Sequence, residues 1–286
     1  MGTAGLGPVG VALEVSAGNA HLAEAAELEA LGYPAVWLPG GELDSLGRVG
    51  DLLAATTSVL VGTAVIPPDV YDADAVAAAY ARFEREHPGR FVAGLGSPQR
   101  ARQLAPLGAY LDRLDAADPP VPRNRRILAA LGPRKLALAR DRGAGAVPLL
   151  VTPGYTAWAR RILGPDATLV VYQLVVGDTD PSRARRTARE PTLRGLLGVG
   201  GYPENMRRMG FTGEQLATLD DALVDALVGW GDDAAIAAGI GEHLTAGADH
   251  VVLGVLHDGD QPGPAELAGR LAASGILREQ PASGRQ

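Results

Sequence analysis

Short apolar runs alternate with helix-like segments along almost the whole chain, and this rhythm restricts the fold more than any other feature of the sequence. The run 9–15 comes first. Over 19–31, Leu22, Ala25, Ala26 and Leu28 then cluster on one face at helical spacing while Glu24 and Glu27 lie elsewhere, and Gly32 closes the segment. Further strands are expected at 35–38, 59–66, 90–96, 126–130, 146–151, 168–176 and 250–255. Helices are expected at 46–57, at 72–86 with Asp72 or Asp74 at its start, at 100–116, from Gly132-Pro133 to 143, and at 153–163, 232–246 and 264–274. Between 181 and 231 the rhythm breaks into helical pieces at 182–190, 203–209 and 219–230, without a clear strand.

Strands that are apolar throughout are buried on both faces, as in parallel sheets. Eight of them, each followed by a helix, predict an α/β fold, the (β/α)8 TIM barrel, with a helical insertion before the last strand. A doubly wound open sheet would need fewer strands, and no G-x-G-x-x-G follows the first one. The 286 residues suit one such barrel. We expect a single domain over 1–279 and a polar tail over 280–286.

Apolar residues make up 47% and charged residues 21% of the chain, a globular balance. The net charge of −7 offers no basic stripe for nucleic acid. The chain contains no cysteine, which excludes disulfides, thiolate nucleophiles and Cys-ligated metals and fits a cytoplasmic protein. No signal-like start and no apolar run of about 18 residues is present, so no membrane partner is expected. Neither a His-x-x-x-His pair, nor an EF-hand loop, nor a G-x-S-x-G elbow occurs, and no metal site is expected.

Five segments, in this order, resemble the luciferase-like monooxygenase superfamily, and within it the actinobacterial branch that uses the deazaflavin coenzyme F-420. The first runs from Glu24 through Leu31-Gly32-Tyr33 to Val36-Trp37-Leu38-Pro39, and the second is Thr57-Ser58-Val59-Leu60-Val61-Gly62-Thr63-Ala64-Val65. The third is His87-Pro88-Gly89-Arg90-Phe91-Val92-Ala93-Gly94-Leu95-Gly96, similar to the family's PGRF-x-x-GLG element. The fourth centres on Leu131-Gly132-Pro133-Arg134-Lys135, and the fifth covers 223–233 with Gly247-Ala248-Asp249-His250-Val251 behind it. The resemblance implies an oxidoreductase that uses reduced deazaflavin, or FMN, on a small organic substrate, and by analogy a homodimer.

Chemistry in such barrels sits at the C-terminal ends of the strands. At Gly132-Pro133-Arg134 a strand ends and a helix begins. Its first N–H groups and partial positive charge suit a phosphate, to which Arg134 or Lys135 adds charge. Leu131, Gly132, Pro133 and Arg134 are therefore candidate cofactor contacts, as the resemblance also implies. The resemblance further implies a non-proline cis peptide within Gly62-Thr63-Ala64-Val65, beneath the ring of the coenzyme; an ordinary buried strand is the other reading of that segment. Gly94 and Gly96 would let a ring approach the backbone. Thr152 either contacts the cofactor or only caps a helix.

Elsewhere the chain departs from the family's pattern. Where relatives carry an acid or histidine after strand two, this chain has Pro39-Gly40-Gly41, with Glu42 and Asp44 nearby. After strand four, Ser97-Pro98-Gln99-Arg100 leads almost at once into a helix, and after strand three stands Pro67-Pro68-Asp69-Val70-Tyr71. Glu14 interrupts the first strand near its end, which is costly for a buried carboxylate unless it is paired or functional. His257, next to Asp258, is the histidine that falls just past a strand's C-terminal end. Glu14, Glu42 and His257 are thus the candidate acid/base residues. They also motivate a second reading, a barrel without cofactor that catalyses a cyclisation, rearrangement, elimination or hydrolysis in secondary metabolism. A third reading is a non-catalytic ligand-binding homologue.

Overall fold

The computed structural model describes residues 5–15, 19–40, 43–97, 104–198 and 200–277. The chain order is β1 (Val9–Ala12), α1 (Ala20–Ala30), β2 (Ala35–Pro39), α2 (Gly47–Ala55), β3 (Leu60–Ala64), α3 (Ala73–Glu86), β4 (Phe91–Leu95) and α4 (Leu104–Ala116). There follow β5 (Arg126–Leu128), α5 (Pro133–Arg142), β6 (Gly145–Ala146), α6 (Pro153–Leu163) and β7 (Thr168–Val176). An inserted segment carries α7 (Pro181–Ala188), α8 (Arg194–Leu197), α9 (Tyr202–Arg208), α10 (Gly213–Thr218) and α11 (Asp221–Leu227). The chain then returns through β8 (Val228–Trp230), α12 (Asp233–Thr245), β9 (His250–Val255) and α13 (Pro264–Ala273).

All strand pairings are parallel, and the sheet closes through β6–β7, β7–β9 and β9–β1 into a ring of eight strands. This is the expected barrel. The short strand β8 is the exception. It lies where the sequence predicts a helix over 219–230, and only the first part of that stretch is helical, capped by Asp220, whose Oδ1 accepts from Leu223 N at 2.8 Å. The reason is an edge left open. β6 was expected over 146–151, yet only Gly145 and Ala146 form it, followed by a single bridge from Leu149 to Tyr172. The upper half of β7, Leu174 to Val176, is therefore without a neighbour on that side, and Val228-Gly229-Trp230 pairs there. Buried N–H and C=O groups need partners, and this demand overrides the local pattern.

Alternation along the strands sorts the core into two layers. Val36, Leu38, Val61, Val171, Val251 and Leu253 point outward and pack against helix residues such as Leu28, Leu52 and Phe83. Trp37, Val92, Val170, Tyr172 and Val252 point into the lumen. Three large rings fill that lumen. Trp37 Nε1 donates to His250 Nε2 at 3.0 Å, and His250 Nδ1 lies 2.8 Å from Gly7 O. The histidine is thus neutral, with Nδ1–H the donor, and burial pulls its pKa down to about 4. A Cβ on Gly62 would lie 2.4 Å from the Trp37 ring, and one on Gly254 would lie 2.4 Å from the Tyr172 ring. Glycine at these two positions leaves room for the rings.

Among the described residues, no helix is long and apolar enough to cross a membrane. The expected tail over 280–286 lies outside the described residues.

Candidate functional site

A cavity of about 1030 Å³ opens at the C-terminal end of the barrel. It does not sit over the barrel axis. Its walls are the ends of β3 (Val65, Pro67), β4 (Gly96, Ser97), β5 (Ala129 to Gly132) and β6 (Val147, Leu149), with the first turn of α5. The inserted segment closes the far side with Gly200, Gly201, Tyr202, Glu204 and Arg208. Ligand pockets hold roughly 300–1,000 Å³, so a ring system with a side chain fits.

The local sequence explains the floor. β5 ends at Leu128, and Gly132 adopts extended backbone as the N-cap of α5 with Pro133 in the first turn. A glycine offers no side chain to cap the first N–H groups, which leaves the positive end of α5 facing the cavity. Arg134 and Lys135 stand on this turn, and burial pulls the Lys135 ammonium pKa below its ordinary value. Arg208 approaches from the insertion. Its Nη1 donates to Asn205 Oδ1 at 2.8 Å, and its Nη2 lies 3.2 Å from Glu204 Oε1. Its guanidinium stands 5.8 Å from the Trp158 ring centre. Three cations and one carboxylate among the described lining residues favour an anionic ligand. Burial raises the Tyr202 hydroxyl pKa to about 12, so the phenol stays protonated at neutral pH.

The expected site residues separate into groups. Gly96, Leu131, Gly132, Pro133 and Arg134 line the cavity. The peptide between Ala64 and Val65 is cis, and Val65 is in the wall, whereas Ala64 is not. Gly62 faces the Trp37 ring instead of the cavity. Thr63 is fully buried and bonded to the neighbouring strand: its Oγ1 donates to Gly94 O at 3.0 Å and accepts from Gly94 N at 2.9 Å. A Cβ on Gly94 would lie 1.7 Å from Thr63 O, so that glycine serves contact between strands. Thr152 caps α6 by accepting from Tyr155 N at 3.2 Å and does not line the cavity.

The candidate acid/base residues lie elsewhere. β1 ends at Ala12, which puts Glu14 on the rim with its side chain 60% exposed, free of the burial cost expected for a strand carboxylate. His257 Nε2 is 3.7 Å from Glu14 Oε1, so the fold brings these two together, outside the cavity wall. Glu42 lies outside the described residues. The sequence reading missed Ser97, Tyr202, Glu204 and Arg208 as cavity residues. The last three sit in the insertion, where no strand end marks a rim position. Ser97 carried a signal, because it directly follows the Gly94-Leu95-Gly96 element.

Residues 6–125 match the model of the luciferase-like monooxygenase family. Solved structures share the fold across the chain. An F-420-dependent secondary alcohol dehydrogenase in complex with an F-420–acetone adduct is 15% identical, with 96% of this chain and 99% of that one covered and a TM-score of 0.72. The coenzyme F-420-dependent tetrahydromethanopterin reductase of Methanopyrus kandleri is 13% identical, with 94% and 98% covered and a TM-score of 0.66. The FMN-bound oxygenating constituent of 3,6-diketocamphane monooxygenase from Pseudomonas putida is 11% identical, with 95% and 98% covered and a TM-score of 0.63. No curated protein sequence matches the chain significantly. Residues 6–125 thus carry the pattern of the luciferase-like monooxygenase family, and the chain shares the (β/α)8 barrel of these structures over nearly its whole length.

Proposed function

We propose that the cavity holds a reduced deazaflavin coenzyme, or FMN in its place, and that the protein is an oxidoreductase acting on a small organic substrate. One observation carries the reading: a single cavity is lined both by Val65 and Gly96 and by the cationic first turn of α5. The fit is supported by an orphaned polar atom in the wall, Ser97 Oγ, which is buried and has no partner among the described residues. The phosphate of the coenzyme would lie on the α5 turn with Arg134 and Lys135, and its ring against Val65 and Gly96. Bound there, the coenzyme supplies hydride transfer. The chain's own part is to bind and orient, and to exclude water with Tyr202 and the insertion. Ser97 Oγ and the Tyr202 hydroxyl are the neutral donors in the wall able to hold a substrate oxygen. Titration with coenzyme F-420, followed by its fluorescence, tests the reading. Saturable binding in the micromolar range is expected, and no binding at high micromolar concentration overturns it.

A second reading rests on the Glu14–His257 pair, 3.7 Å apart at the rim. A carboxylate beside an imidazole is equipped for cofactor-free acid/base chemistry. Turnover by cofactor-stripped protein that Glu14→Gln and His257→Ala each abolish would favour it. Turnover untouched by both would remove it.

A further inference from the structure

Arg208 is placed as more than a surface cation. A Cβ on Gly132 would lie 3.9 Å from its Nη2, so the guanidinium hangs over the N-cap of α5 across a gap that glycine leaves open. Arg134 and Lys135 face it from the barrel side of the same cavity. Cations gathered around one cavity favour an anionic ligand there. Glu204 is the one carboxylate among the described lining residues, and it sits on the same helix as Arg208.

The support beneath Arg208 is itself incomplete. Asn205 is fully buried, and its Oδ1 accepts from Arg208, yet its Nδ2 has no partner among the described residues. Ser97 Oγ, in the wall of the cavity, is likewise buried without a partner among the described residues. Buried polar groups are rarely left unmatched, so Ser97 Oγ is open to a polar atom of a ligand in this cavity.

We propose that Arg208 clamps the phosphate of the ligand against the first turn of α5, with Asn205 as its positioning residue, and so makes the cavity select a phosphorylated ring compound over its dephosphorylated form. This rests on the reading of the cavity as a coenzyme site. The insertion thereby contributes to binding directly, in addition to covering the barrel.

FMN and riboflavin share one ring system and differ by the phosphate, which makes them the probes. Wild-type protein is expected to bind FMN at least about tenfold tighter than riboflavin. Arg208→Met weakens FMN by roughly 10- to 100-fold and changes riboflavin by less than about 2-fold. Arg208→Lys falls between, because it keeps the charge and loses the fork geometry. Glu204→Gln removes the competing carboxylate and tightens FMN by about 2- to 3-fold, a change opposite in sign to mere loss of structure. Equal weakening of both flavins by Arg208→Met, or no preference in the wild type, overturns the clamp. Should Arg208→Met not fold, the Lys and Gln variants decide by the same ratio. If the wild type binds neither flavin nor coenzyme F-420, the coenzyme reading fails and inorganic phosphate, followed by calorimetry, becomes the probe. Phosphate binding that depends on Arg208 then upholds the clamp, and its absence removes the clamp as well.

Discussion

The two ends of the barrel use the same residue types to opposite effect. At the N-terminal end, charged side chains are spent on the backbone. Arg160 donates to Gly247 O at 2.8 Å, Gly164 O at 2.8 Å and Ala167 O at 2.6 Å, and it pairs with Asp249. Arg90, from the PGRF-like element, donates to Val59 O, Leu53 O and Thr56 O. Glu29 accepts from the N–H groups of Thr57, Ser58 and Val59. Arg126 is fully buried and pairs with Asp115, which Arg123 and Arg142 also approach. At the C-terminal end, by contrast, Arg134, Lys135 and Arg208 line a cavity. The contrast teaches that the charges at the lower end of this barrel hold strand ends and each other, whereas three cations at the upper end line a cavity, in keeping with the anionic ligand proposed for it.

The sharpest break of that contrast would be a lower-end charge that can be removed cheaply. Burial pushes the Asp115 carboxyl up, but the Arg126, Arg142 and Arg123 guanidiniums outweigh it and hold it below the usual carboxylate range. Asp115→Ala leaves Arg126 buried without its counter-charge and is expected to cost about 3–5 kcal/mol in urea unfolding. Its flavin affinity, measured on the folded fraction, should stay unchanged. A cost near zero would show that the lower network is ornamental.

Gly62→Ala tests the assignment of that glycine to the lumen. The added methyl group meets the Trp37 ring, and a loss of about 1–3 kcal/mol is expected. If the variant instead keeps its stability and loses flavin affinity, Gly62 belongs to the cavity after all.

The acid limb of stability probes Glu29. Burial pushes its carboxyl up, but the three backbone N–H groups and the Ser58 hydroxyl outweigh that and bring the pKa down to about 2. A lowered carboxylate stabilises the folded state fully above its unfolded pKa of about 4.5, and that share is lost as pH falls through about 2. Glu29→Gln should lower the urea midpoint at pH 7 and flatten its fall between those two pH values. An unchanged pH slope would separate Glu29 from acid unfolding.

The smallest effect belongs to the upper end. Glu14→Gln alters only an exposed contact with His257 and should shift thermal stability by no more than about 0.5 kcal/mol. A larger loss for Glu14→Gln would move that residue to the structural side of the comparison.

Much of the scaffold was legible because its signals are local. The strands at 168–176 and 250–255 and the helix at 153–163 carry their own apolar runs, proline starts and glycine stops, and they match β7, β9 and α6 in the structure. Leu131-Gly132-Pro133-Arg134 was legible for the same reason, since a strand end, an N-cap and a cation stand side by side in the chain. β8 was not, because it is a strand only where β6 leaves β7 unpaired. Thr63 and Gly94 could not be told from cavity residues either, because what they bond is each other, across two strands.

The sequence by itself thus determined that this chain closes into a (β/α)8 barrel and which strand ends carry glycine and proline. Periodicity, caps and breakers act within a few residues, and a single chain displays them directly. Only the tertiary structure decided that Glu14 pairs with His257 outside the cavity, that Gly62 serves Trp37, and that Arg208 hangs over Gly132. These facts join residues 243, 25 and 76 positions apart, respectively. Which such residues meet depends on strand register and on where the insertion folds back, and both are fixed by burial of the whole core, not by any local pattern.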